Sequence, residues 1–494
     1  MSEDAPVNTG AVVWPDAESA AITVRRMQTK LHRWATEQPG RRFGDLFNLV
    51  ADPAFLVCAW ERVTTNQGAR TPGIDKVSAG LVETWVGAEA FLGQIRDALK
   101  SSGFRPVAVR RVMIPKGSMG KFRKLGIPTI TDRVVQASLK LVLEPIFEAD
   151  FKPCSYGFRP NRRAQDAVAE FHYYASKPRS YHWVLEADIE ACFDEISHRA
   201  LMDRLRARIA DKRMCALVKA FLKAGVLTEL GKKEETLTGT PQGGILSPLL
   251  ANIALSALDD HFDQRWRAMG SRYQRAKRKA SGHGVCRLIR YADDFVLMVW
   301  GERHHAEALQ AEVSAVLAPL GLRLSPDKTR VVHIDEGFDF LGFTLRRQWN
   351  RGTRKYCVYT RPSKKAIQSV KDKVKARTYR STRYQDLDVV LRSINRVLVG
   401  WANYFRHAVA KAVFSAIDNH AWGRLMRWIR AKYGGQHRIG MPELRRRFCD
   451  KGWRFACNGV VFTGAASVAV TRYRYRGSTI PTPWTPRTAA ATSG

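Results

Sequence analysis

Several things are scarce or missing in this 494-residue chain, and each removes a class of function. Acid is scarce beside base. Only 46 Asp and Glu stand against 81 Lys and Arg, a formal net charge of +35. An excess of that size points to a polyanionic partner, either nucleic acid or an anionic membrane. No stretch approaches ~18 uninterrupted apolar residues, so a membrane-spanning helix is not expected. The opening Met1-Ser2-Glu3-Asp4-Ala5-Pro6 lacks the apolar centre of a signal peptide, and a cytoplasmic protein working at the nucleoid or on RNA is expected. Cys58, Cys154, Cys192, Cys215, Cys286, Cys357, Cys449 and Cys457 include no Cys-x-x-Cys pair. That argues against a zinc ribbon and for reduced, packed thiols. No Gly-Lys-Ser/Thr closes a Gly-rich loop, so a phosphate-binding P-loop is excluded. There are no internal repeats, and the length allows several domains.

The most informative residues present are Tyr291-Ala292-Asp293-Asp294, set between the apolar runs Leu288-Ile289 and Phe295-Val296-Leu297-Met298. Such runs fit buried strands, and the polar break between them fits a tight hairpin turn. Two like charges on one turn repel by about 4 kcal/mol at ~4 Å and an effective dielectric of ~20. A divalent cation removes that cost, and Mg²⁺ takes hard oxygen ligands. A solvated Asp-Asp turn is an equally good reading of these four residues alone. A partner carboxylate is available at Asp188, where Trp183-Val184-Leu185 reads as a short strand ending in acid and leading into a helix. A strand-end Asp beside a hairpin-borne pair could hold two metals ~3.5–4 Å apart for an in-line phosphoryl transfer. Glu186, Glu190, Asp194 and Glu195 read as helix-face or capping residues. Between the acidic sites lies Gly239-Thr240-Pro241-Gln242-Gly243-Gly244, whose glycines permit close backbone approach. Ser247-Pro248 then opens a helix, with proline suited to its first turn.

The order of these segments resembles the group II intron-encoded reverse transcriptases that carry a maturase domain. Upstream stand Arg105-Pro106, Arg110-Arg111, Ile114-Pro115-Lys116, Arg123-Lys124-Leu125-Gly126-Ile127-Pro128 and Ser155-Tyr156-Gly157-Phe158-Arg159-Pro160. Downstream stand Pro326-Asp327-Lys328-Thr329, Phe340-Leu341-Gly342-Phe343 and Gly400-Trp401-Ala402-Asn403-Tyr404-Phe405. The likeness covers about residues 55 to 480. It implies an α+β right-hand polymerase, with fingers and palm followed by an α-helical thumb or maturase domain. The boundaries it suggests are a leader and basic helix at 1–45, an N-terminal extension of the fingers at 46–110, fingers and palm at 111–345, thumb at 346–435, and a basic C-terminal region with a disordered tail at 436–494.

By the same resemblance, Asp188, Asp293 and Asp294 are the catalytic carboxylates, with the Ile189 carbonyl completing a shell around two Mg²⁺ ions. Arg110, Lys116 and Arg123 hold the incoming triphosphate, residue types suited to several fixed cations. Phe193 is the gate that leaves no room for a 2′-hydroxyl. Gln242 sits against the template–nucleotide pair, and Lys328 is the acid for departing pyrophosphate. Implied partners are group II intron RNA, an RNA template with a DNA primer, dNTPs and a DNA target, with no membrane. The function implied is RNA-directed DNA synthesis together with intron splicing and mobility. A splicing-only maturase, or a reverse transcriptase serving defence or repair, is the alternative. No paired Cys/His cluster follows Trp422, so a C-terminal endonuclease of the kind many members carry is not expected.

Along the chain, residues 1 to about 20 read as a flexible leader, with helical spacing from Ile22. Arg265 to Arg290 reads as a basic loop and strand approach, facing either RNA or solvent. Eleven Lys and Arg stand against Asp372 alone between Arg351 and Arg380, the composition of a nucleic-acid-facing surface. Lys364, Lys365, Lys371 and Lys375 there, with Arg427 and Arg430 beyond, are the candidate RNA contacts. Val390, Ile394, Val397, Leu398, Trp401, Tyr404 and Phe405 form a one-sided apolar stripe, so Trp401 and Phe405 read as core. Arg472-Tyr473-Arg474-Tyr475-Arg476 suits either phosphate pairing with base stacking or an edge strand. The Pro/Thr/Ala-rich end after Pro481 is expected to be disordered.

Overall fold

The computed structural model describes residues 12–115, 122–227, 233–234, 238–239, 243–434, 439–450, 452–477 and 480–485. The first helix, Ala17–Glu37, starts before Ile22, because the Asp16 carboxylate accepts from the N–H groups of Glu18 and Ser19 and caps it. It packs with Pro53–Thr64 on Ile130–Asp150. The last of these is buried on nearly every side, as its apolar content requires. Arg133 donates to the carbonyls of Pro128, Gly68 and Thr71, which anchors the turn-rich stretch before the first sheet.

That sheet runs in the order Phe122–Ile127, Val109–Pro115, Val226–Leu227, Lys233–Glu234. A second, all-antiparallel sheet runs Val285–Tyr291, Asp294–Trp300, Trp183–Asp188, Arg330–His333. Its central strand is buried from Phe295 through Val299, because neighbours cover both edges and helices such as Arg303–Leu317 pack on it. The basic stretch before this sheet is a helix, Arg272–Ala280, rather than a loop. A capping box between Ser271 and Gln274 starts it, Arg275 lies over Trp266, and Lys279 lies over Tyr181 and Trp300.

A third sheet joins Phe338–Phe340, Phe343–Asn350 and Lys355–Pro362. Its middle strand runs across residue 345. Helices Lys364–Arg377, Leu387–Phe405, Lys411–Tyr433 and Met441–Phe448 follow. Phe405 is buried against Phe343 and Trp401, as the apolar stripe predicts. One connected core of buried residues extends from Ala20 to Ile480.

The C-terminal segment departs from expectation. Arg472–Arg476 is neither strand nor free. Tyr473 and Arg476 both donate to Asp166, and Tyr475 lies on Tyr173 at 4.7 Å. Beyond Pro481, where disorder was expected, Trp484 is buried edge-on to His32 and donates to Gln28 at 3.2 Å. The remainder of the expected tail, from residue 486, lies outside the described residues. All eight cysteines are free thiols.

Candidate active site

The hairpin predicted around the Asp pair forms with a two-residue turn. Tyr291 pairs with Asp294, leaving Ala292 and Asp293 as the loop. Ala292 has φ +58°, the positive value that tight hairpin turns require at their first central position. On the other side of the strand Asp294–Trp300, Asp188 is the register partner of Asp294. Residues directly opposed across antiparallel strands have Cβ atoms about 5 Å apart, so these two carboxylates share one face and one neighbourhood. Asp293 joins them from the turn.

A second backbone contact fixes the fourth charged group. Glu190 N–H donates to Arg323 C=O at 3.0 Å and Ser325 N–H donates to Asp188 C=O at 2.8 Å. These bonds bring residues 323–328 alongside 188–190, and the Lys328 amine donates to the Asp188 carboxylate. They bracket the Ile189–Leu324 pairing, so the Ile189 carbonyl is not consumed by it. Glu186 and Glu190 are paired with Arg330 and Arg323 at 2.8 and 2.7 Å. They are therefore neutralised at the rim.

The electrostatics follow from this crowding. Burial, followed by the charges of Asp293 and Asp188, pushes Asp294 up to about 6, although its side chain still meets solvent. Burial and Asp188 push Asp293 up as well, while Arg123 and Lys328 pull it down. The Lys328 amine is raised, chiefly by its bond to Asp188. A group of carboxylates that resists its own ionisation is a site that favours cations, and its oxygens are the hard donors Mg²⁺ takes. Among the described residues no group of three or more His, Cys, Asp or Glu is arranged to hold a metal ion as it stands.

Asp188, Asp293 and Lys328 line a cleft of about 500 Å³ together with Arg123, Lys124, Phe158, Ile189, Phe193 and Gly243, and Asp294 adjoins it as the register partner of Asp188. Phe193 is half-buried in its wall, and glycine packing sets its backbone. A Cβ on Gly239 would come within 2.5 Å of the Phe193 and Asp194 carbonyl oxygens, and Gly239 holds φ +80°. Gly243 likewise packs on the Gly126 carbonyl, joining the Gly-rich segment to the Phe122–Ile127 strand. Ser247–Ala268 starts at Ser247 with proline in its first turn, as the sequence predicts.

Arg110 does not reach the cleft. Its guanidinium donates to the Pro72 carbonyl at 2.8 and 3.2 Å, and it is not among the residues that line the cleft. Lys116 and Gln242 lie outside the described residues. Away from the cleft, Lys364, Lys365, Lys375 and Arg427 are exposed, and Lys371 is half-buried. Arg430 is also half-buried, with Nη2 3.1 Å from Met441 Sδ. Helices Lys364–Arg377 and Lys411–Tyr433 pack together. Burial, then Lys371, Arg424 and Arg427, hold His420 below the usual histidine value, so these bases converge on one surface.

Sequence reasoning singled out no role for Arg290, which it grouped with a basic loop and strand approach. Arg290 is fully buried and donates to Asp259, Asn252, Ser155 and Ala292. The usable signal was a charge inside the apolar run Leu288-Ile289-Arg290, where an exposed residue has no place.

Residues 114–345 match the family described as reverse transcriptase (RNA-dependent DNA polymerase), and residues 367–447 match the group II intron, maturase-specific domain. The second match extends past the boundary expected at residue 435. Protein YkfC of Escherichia coli is 37% identical over 362 residues, which are 70% of this chain and 94% of that protein. The group II intron-encoded protein LtrA of Lactococcus lactis is 32% identical over 350 residues, 62% of this chain and 57% of that protein. Nuclear intron maturase 1 of Arabidopsis thaliana is 24% identical over 321 residues, 48% of this chain and 44% of that protein. The chain thus spans nearly all of the first relative and about half of the intron-encoded or maturase ones. It belongs to the family of group II intron-encoded reverse transcriptases with a maturase domain.

Proposed function

We propose that the chain synthesises DNA on an RNA template from the Asp188–Asp293–Asp294 cleft, and that its helical C-terminal half binds a group II intron RNA to promote splicing and mobility. In this reading the sheet carrying the Asp pair is the palm, the sheet containing Phe122–Ile127 belongs to the fingers, and the helices from Lys364 are the thumb. The observation that carries it is the register of Asp188 on Asp294, with Asp188 and Asp293 lining a cleft that also contains Arg123, Phe193 and Lys328. The filled acidic positions weigh against a splicing-only maturase.

Asp188, Asp293 and the Ile189 carbonyl would hold Mg²⁺, with Asp294 nearer the primer end. Bound there, the ions would lower the pKa of the attacking hydroxyl and neutralise charge on the transferring phosphoryl group. Arg123 binds triphosphate oxygens from the strand Phe122–Ile127, with Lys116 as a second cation. Phe193 lies against the sugar and excludes the 2′-hydroxyl. Lys328 carries a proton within reach of the leaving pyrophosphate, and Gln242 contacts the template–nucleotide pair. RNA template, DNA primer, dNTPs and target DNA are the substrates. No helix among the described residues is long and apolar enough to cross a membrane.

The test is Asp293→Asn. It removes one negative charge at nearly constant shape. Primer extension on RNA with Mg²⁺ is expected to disappear, while intron RNA binding in a filter assay stays close to wild type. A variant that still extends the primer would remove the assignment of Asp293.

A further inference from the structure

Arg290 directly precedes the turn that carries the Asp pair, and all five of its N–H groups are used. Two go to the Asp259 carboxylate at 2.7 and 2.5 Å. The others go to Asn252 Oδ1 at 3.0 Å, Ser155 Oγ at 2.7 Å and the Ala292 carbonyl at 2.8 Å. A buried charge is tolerated only when it is paired and its remaining donors are satisfied. The Ala292 acceptor gives this charge a bearing on catalysis. Ala292 is the residue at φ +58°, a conformation that strains any residue with a Cβ. Asn252 grips the same turn from a second direction. Its Nδ2 donates to the Gly157 carbonyl at 2.8 Å, and Gly157 lies so close that a Cβ there would stand 2.4 Å from the Ala292 nitrogen. Asn252 and Asp259 sit two turns apart on one face of Ser247–Ala268, so a single helix supplies both anchors.

We propose that Arg290, with Asn252 as its relay to Gly157, is a positioning residue that locks the Ala292–Asp293 turn and keeps the two hairpin carboxylates opposite Asp188 despite their like charge. The inference rests on the polymerase reading and assigns Arg290 no contact with substrate. It acts through backbone, so its loss is felt in turnover rather than in nucleotide binding.

Two variants of the full chain test this. Arg290→Lys keeps a positive charge against Asp259 but cannot span the five donor positions. Asn252→Ala leaves the Arg290–Asp259 pair whole and removes only the relay. In both, amide exchange across residues 290–294 is expected to rise about tenfold or more and well beyond any rise in the rest of the strand, with a modest fall in the thermal midpoint from the buried polar groups left unpaired. On pre-bound template–primer, kcat is expected to fall about tenfold or more, with the KM for dNTP within about twofold of wild type. Unchanged exchange in the turn of a folded variant overturns the proposal, as does a loss of kcat that only follows lost thermal stability. If Arg290→Lys does not fold, Asn252→Ala decides alone. If the wild-type chain adds no nucleotide, the polymerase reading has failed, while the exchange measurement still decides whether Arg290 holds the turn.

Discussion

Phe193 and Lys328 line the same cleft, and backbone hydrogen bonds position the segment that carries each. Thr238 Oγ1 donates to the Asp194 carbonyl at 2.9 Å and Gly239 N–H donates to Ile196 C=O at 2.8 Å, so the turn bearing Phe193 is pinned at both ends. A smaller residue there should therefore leave a real space. Phe193→Val is expected to raise ribonucleotide incorporation relative to deoxyribonucleotide by ~10-fold or more, since the ring is the steric element and no polar contact is lost. The ratio of kcat/KM values for a matched rNTP and dNTP measures this, and an unchanged ratio would exclude Phe193 as the gate. Lys328 is placed by the Ser325–Asp188 backbone bond, so replacing it should leave the surrounding chain intact. Lys328→Ala is expected to slow incorporation by ~10²-fold, the scale of one proton donor, with a much smaller effect on nucleotide affinity. Equal losses in rate and affinity would reduce Lys328 to a binding charge.

At the level of elements, the active site depends on how closely the Ser155–Pro160 segment meets the hairpin. Tyr156 N–H donates to Arg290 C=O, and Arg290 N–H to Cys154 C=O, both at 2.8 Å. Gly157→Ala would drive a methyl into the backbone of Tyr291 and Ala292, at 2.9 and 2.4 Å, where no flexible side chain can yield. A destabilisation of ~1–3 kcal/mol is expected, together with lost polymerisation, read from the denaturant midpoint and primer extension. The hairpin, the acid at the end of Trp183–Asp188 and the proline-led helix were legible because their signals are local: apolar runs around a polar break, and proline in a first turn. The Arg290 lock was not, because three of its four acceptor residues, Asp259, Asn252 and Ser155, lie 31 to 135 residues away in sequence. Arg110 misled for a related reason. Its side chain was spoken for by a carbonyl 38 residues upstream, which composition cannot reveal. The segment Ile480–Thr485 reads as a polar, proline-rich tail, yet Trp484 packs on a helix more than 450 residues before it. Trp484→Ala should cost about 3 kcal/mol, the usual cost of emptying a buried aromatic site, and should expose the helix Ala17–Glu37 to exchange. An unaltered denaturation midpoint would mean that the segment contributes no stability.

Over the whole molecule, a net charge of +35 can be tolerated only if much of it faces a polyanion, because unpaired like charges work against the compact state. The structure separates two kinds of base. Arg290, Arg159, Arg133 and Arg208 are buried, and each is engaged with carboxylates or carbonyls, so they are structural and unavailable to RNA. Lys364, Lys365 and Lys375 on Lys364–Arg377 and Arg427 on Lys411–Tyr433 are exposed on two packed helices that the maturase-specific match covers from residue 367 onward. A surface of this kind binds RNA mainly through the counterions it releases, and the logarithm of affinity then falls with the logarithm of salt by ~0.7–0.9 per phosphate contact. The combined variant Lys364→Ala, Lys365→Ala, Lys375→Ala should therefore flatten that slope by about 2 to 3 if all three lysines touch phosphate, and should weaken different RNAs to similar degrees. DNA synthesis at saturating template–primer should persist, because none of the three lines the cleft that contains Asp188 and Asp293. A salt slope identical to wild type would place the RNA on another face, and Arg272–Ala280, a helix with no buried residue, would be the next surface to neutralise.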